Sequence, residues 1–120
     1  MYNEFTDWLN AILEKELPFD AVAINFNLYE DSNLQWSIQL IATERFDRED
    51  DEWACDEVYT SGEDLYTWKQ DTGWREILDL ATGWINKYLE EGKYASELKK
   101  YTAVGVGFVD GDISVLYEKE

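Results

Sequence analysis

The chain has 120 residues with 27 Asp and Glu against 10 Lys and Arg, no His, and a formal net charge of -17. That balance repels nucleic acid and anionic lipid, and the missing His excludes Ser-His-Asp and Cys-His nucleophile systems as well as histidine-ligated metals. Six Trp, eight Tyr and five Phe within a 45% hydrophobic content suit one folded domain over residues 1–120, not an acidic disordered tail.

Phe5, Trp8, Leu9, Ile12, Leu13 and Glu16 recur at three- and four-residue intervals, which predicts an amphipathic helix capped by Asn3 or Thr6 and ended by Pro18. Val22, Ile24, Phe26 and Leu28 then alternate with smaller or polar residues, and Trp36, Ile38, Leu40 and Ala42 do the same. Period two predicts two strands, joined as a hairpin through residues 30–33.

Acid dominates the next stretch. Residues 44–64 hold ten Asp and Glu against Arg45 and Arg48, a local net of -8. Residues 46–52 read as a solvated loop, residues 53–60 as a third strand, and residues 61–73 as either a short helix or an edge strand. Trp74, Ile77, Leu78, Ala81, Trp84, Ile85, Tyr88 and Leu89 mark a second amphipathic helix. Thr72 is its expected cap, Glu76 suits its positive end, and Gly92 stands where a left-handed residue closes a helix. A turn over residues 94–100 follows. The last strands, with Ala103, Val104, Val106 and Phe108 before Asp110-Gly111 and Ile113, Val115 and Tyr117 after it, predict a hairpin with a two-residue loop. The expected fold is α+β, an antiparallel sheet of four to five strands with two main helices on one face.

No catalytic constellation emerges, and the chain is read as a non-enzyme. Cys55, between Ala54 and Asp56, lacks a base to activate it and reads as a half-buried structural thiol. Gly105, Gly107 and Gly111 lack the Lys and the following helix of a phosphate loop, so they read as sites of close backbone approach and of the turn. Asp47, Glu49 and Asp51 alternate as in an EF-hand loop, but Glu52 replaces its glycine and Val58 its final glutamate. No metal and no cofactor is expected. With 27 carboxylates, any pair spacing required for glycoside hydrolysis occurs by chance.

The acidic run is the candidate site because aromatics accompany it. Asp47, Glu49, Asp50, Asp51, Glu52, Asp56 and Glu57 can steer a cationic protein, while Trp53 and Tyr59 can anchor it. A solvated face is the simpler reading of such a loop, and Trp53 is equally suited to the core. Asn3, Glu4 and Asp7 stand where a secretory signal needs basic and apolar residues, and no run reaches membrane-span length. A cytoplasmic protein is expected.

The helix bearing Trp74 and Trp84, the basic turn after it, and the run Val104-Gly-Val-Gly-Phe-Val-Asp-Gly-Asp112 resemble small acidic bacterial immunity proteins over residues 74–120. The resemblance implies a single-domain cytoplasmic inhibitor of a toxin and carries over no inhibitory residue. Three functions follow as expectations: an immunity protein occluding the basic cleft of a toxin such as a nuclease; a DNA mimic blocking a DNA-binding protein; and a carboxylate enzyme acting on sugars.

Overall fold

The structure, a computed structural model, describes residues 2–15, 17, 20–109 and 111–119. Glu16 as the end of the first apolar stripe, Pro18 as a helix stop and Asp110 as a turn residue lie outside the described residues.

Helix α1 spans Tyr2–Leu13 and buries Phe5, Leu9 and Ile12, as its spacing requires. It starts at Tyr2, so Asn3 and Thr6 lie within it and cap nothing. Strands β1 (Ala23–Glu30) and β2 (Gln35–Thr43) form the expected antiparallel hairpin. Asn33 and Leu34 in its turn have φ of 61° and 60°. A short 3-10 helix, Asp51–Cys55, replaces the start of the expected third strand, leaving β3 as Glu57–Thr60. The ambiguous segment resolves as β4, Tyr66–Lys69. Helix α2 is Trp74–Glu91, a single turn α3 is Ala95–Leu98, and β5 (Ala103–Phe108) and β6 (Ser114–Glu118) complete the chain.

The fold is α+β, but its sheet has six strands and is mixed. The order is β3-β2-β1-β5-β6, with β4 pairing beside β3 along the same edge of β2. β1 and β5 run parallel, with Ala23 opposite Ala103 and Leu28 opposite Phe108. This corrects the purely antiparallel expectation. The chain leaves β4, crosses the sheet through α2, and re-enters beside β1 in the same direction, as a parallel pair demands.

The even-numbered residues of the central strands face the helices. Ile24, Phe26 and Leu28 of β1 and Trp36, Ile38 and Leu40 of β2 join Phe5, Leu9, Ala81, Ile85 and Tyr88 in the main core. Aromatic packing ties α1, β4 and α2 together: Phe5 stacks on Trp84 at 5.4 Å, and Trp68 meets Trp84 edge-on at 5.2 Å. Tyr88 donates a hydrogen bond to Asn10 Oδ1 at 2.6 Å, joining the two long helices.

Several ends differ from expectation. Gly73, not Thr72, is the N-cap of α2 and makes no side-chain cap bond. Gly92 has φ -67° and ψ 153°, so it is extended, not left-handed. Its small size matters instead, since a Cβ there would lie 2.6 Å from the Tyr88 ring. The β5–β6 connection covers residues 109–113 and is longer than two residues, because pairing stops at Val106 opposite Ser114. Among the described residues no helix is long and apolar enough to cross a membrane.

Candidate functional site

The opposite sheet face carries neither of the long helices and bears polar residues: Asn25 and Ser37 are buried, Asn27 and Gln39 half-buried. Two irregular segments fold over it. One is the acidic arm, residues 44–56. The other follows β5, and its Asp112 and Ile113 backbone rides directly on that strand. A Cβ at Gly107 would stand 2.4 Å from the Asp112 carbonyl oxygen, and one at Gly105 would stand 3.0 Å from Ile113 Cγ2. The glycines thus permit the close approach expected of them, by admitting a loop over the sheet. The buried Asn25 Oδ1 faces the same glycine row, 2.8 Å from the place of a Gly105 Cβ, and accepts no hydrogen bond.

Trp53 fixes the arm. It is 1% exposed and packs with Ala23 and Ala103, at the starts of the parallel strands, and with Phe46, Ala54 and Ile113. The Phe46 ring meets it edge-on at 5.1 Å. Trp53 therefore belongs to the interior and cannot serve as a surface anchor in this conformation. The local sequence explains why: Asp50 Oδ1 accepts the Glu52 N–H at 3.0 Å, capping the 3-10 turn that rotates the indole inward.

The arm's acids divide into braces and free charge. Asp47 Oδ1 accepts the Glu49 N–H at 3.0 Å in a local turn. Asp51 Oδ2 accepts the Ile113 N–H at 3.0 Å, pinning the arm to the 109–113 loop. Asp56 pairs with Arg45 Nε, and that hydrogen bond raises the guanidinium above its ordinary value. Arg48 reaches Glu118 on β6, with Nε 2.8 Å from Oε1. Both arginines of the arm are thus engaged within the chain, while Glu49, Glu52 and Glu57 keep exposed side chains. Asp64, beyond β3, accepts a hydrogen bond from Lys15 at 3.0 Å, which raises that ammonium above its ordinary value.

The structure therefore brings Asp47, Glu49, Asp50, Asp51, Glu52 and Asp56 together on one arm, with Glu57 and the half-buried Tyr59 continuing along β3. Cys55 is exposed, contrary to the half-buried expectation. Among the described residues no group of three or more Asp, Glu or Cys side chains is placed to hold a metal ion.

A second feature went unread in the sequence. At the other end of the sheet an open cleft of ≈ 890 Å³ lies between the ends of β1 and β5 and the first turns of α2. Its walls include Tyr29, Trp74, Leu78 and Phe108, with Glu30 and Asp112 as its acids. The signal was Trp74, the first member of the α2 stripe, which overhangs the sheet and stays 51% exposed.

No protein-family model, curated protein or solved structure matches this chain.

Proposed function

We propose that the protein is a non-catalytic, cytoplasmic acidic binding module that neutralises a cationic protein, most concretely an immunity protein occluding the basic active-site cleft of a toxin. The observation that carries this reading is the bracing of the arm. Its two arginines are tied to Asp56 and Glu118, and Asp50 and Asp51 hold its backbone. A fixed arm presents Glu49, Glu52 and Glu57 without first ordering a loop, so association loses little entropy and the carboxylates attract and steer a cationic partner. The grouping of the acids on one arm favours occlusion of a cleft over imitation of an extended DNA duplex.

The test begins with tagged protein purified from its source cells at low salt and identification of what binds. The partner should carry an excess of Lys and Arg, and stopped-flow association should slow at least about tenfold between about 50 and 500 mM salt. A neutral or acidic partner, or association indifferent to salt, overturns the reading.

A further inference from the structure

We propose that the cleft at the ends of β1 and β5 is a subsite for an arginine side chain presented by a basic polypeptide. The topology opens it. β1 and β5 are adjacent and parallel, yet β1 turns away into β2 on one side and β5 into β6 on the other. Two parallel strands whose continuations diverge leave a crevice beyond their carboxyl ends. The first turns of α2 close one side, and Val109, Gly111 and Asp112 close another.

The lining suits a guanidinium. Of the five large apolar side chains that are exposed among the described residues, Trp74 at 51% and Val109 at 56% both stand in this cleft. Phe108 is held between Trp74 and the buried Trp36, with ring centroids 6.3 and 6.1 Å away. Tyr29 is fixed by donating to Gln39 Oε1 at 2.7 Å. Phe108 is thereby held on the helix side of the cleft and Tyr29 on the other side of the sheet. The only charged residues among those described in the lining are Glu30 and Asp112, both exposed acids.

An aromatic face beside carboxylates binds a planar guanidinium better than a compact ammonium, because the guanidinium stacks and also forks onto the carboxylate. Arg75 Cζ lies 5.4 Å from the Trp74 ring centroid, so a ligand guanidinium stacks on the indole by displacing that contact or on its other face. The net charge of -17 draws the same class of ligand. The volume exceeds one side chain, which leaves room for the flanking peptide. Asp112 also precedes Ile113, whose N–H Asp51 holds, so the arm and the cleft share the 109–113 loop. This inference deepens the proposed function and takes from it only the cationic, polypeptide nature of the partner.

The experiment titrates the unaltered protein, at low salt, with a capped pentapeptide Ala-Ala-Arg-Ala-Ala and with its citrulline and lysine counterparts. The readout is the indole N–H resonance of Trp74, assigned by its loss in Trp74→Phe. The arginine peptide should move that resonance, the lysine peptide should bind at least about threefold more weakly, and the neutral citrulline peptide should leave it in place. Measured by isothermal titration calorimetry, which needs no indole at position 74, Trp74→Ala should weaken the arginine peptide about tenfold or more and Asp112→Asn about threefold, with melting curves confirming both folds. Equal binding of the citrulline peptide, or no effect of Trp74→Ala, overturns the subsite. Free arginine binding as tightly as the peptide overturns its polypeptide ligand. If Trp74 stays silent while a basic protein still associates in a salt-dependent way, the cleft fails and the proposed function stands. A cleft that takes the arginine peptide while no basic protein binds the chain gives the converse.

Discussion

Trp53 is 1% exposed and Trp74 is 51% exposed, although each has a charged neighbour in the chain. Exposure follows from what each indole finds beneath it. Trp53 meets two alanines, Ala23 and Ala103, whose small side chains leave room for an indole on the sheet. Trp74 has the edge-on contact with Phe108 and the Arg75 guanidinium beside its ring, and stays half exposed. Trp53→Ala should therefore cost about 3–5 kcal/mol of stability by opening a cavity beneath the arm. Trp74→Ala should cost about 1 kcal/mol or less. Urea unfolding of the two variants separates them, and equal losses would show that the arm is not packed through Trp53. Neither outcome could be read from the sequence, because the acids around Trp53 leave anchor and core equally open and the stripe containing Trp74 suggests burial.

At the level of elements, the arm separates structural acids from presented ones. Glu49, Glu52 and Glu57 are exposed, whereas Asp50 caps the 3-10 turn and Asp51 holds the Ile113 N–H. Changing the three glutamates to Gln should leave the melting temperature unchanged or slightly higher, as like-charge repulsion falls, and should slow association with a basic partner. Asp50→Ala should instead cost about 1 kcal/mol through loss of the cap. Stopped-flow rates beside melting curves make the comparison, and an unchanged rate in the triple variant would reduce the arm to a solvated face. The long helices and the β1–β2 hairpin were legible because their periodicity is local: Phe5, Leu9 and Ile12 or Ile24, Phe26 and Leu28 declare a face without reference to anything distant. The parallel pairing of β1 with β5 was not legible. It joins segments about 80 residues apart through a helical crossover, and both strands alternate as antiparallel ones do. The cleft was hidden for the same reason, since it exists only where those two strand ends meet the start of α2.

For the whole molecule, six groups among the described residues have displaced equilibria, and they act at the alkaline end. Burial lifts the phenols of Tyr88, Tyr66 and Tyr101 above their ordinary value. Hydrogen bonds to Asp64 for Lys15, to Asp56 for Arg45 and to Tyr94 for Lys93 lift those bases too. In every case the folded chain holds protons that the unfolded chain has released once pH passes the unfolded value, about 10 for a phenol. Stability from these groups is therefore complete below that pH and declines as pH rises through the folded values. Each lost proton also adds to the existing excess of negative charge, which steepens the fall. Tyr88 tests the sign. Its hydroxyl donates to Asn10 Oδ1 and accepts the Tyr94 N–H at 3.1 Å, so Tyr88→Phe should cost about 1–3 kcal/mol near neutrality by leaving both groups unpaired. Above about pH 10 the parent must also bury or release a phenolate, and the variant need not. The two stability curves, measured by urea unfolding from pH 7 to 11, should converge at their alkaline end. Parallel curves would mean that the Tyr88 phenol titrates alike in both states, and that its burial between α1 and α2 contributes nothing to the alkaline limit.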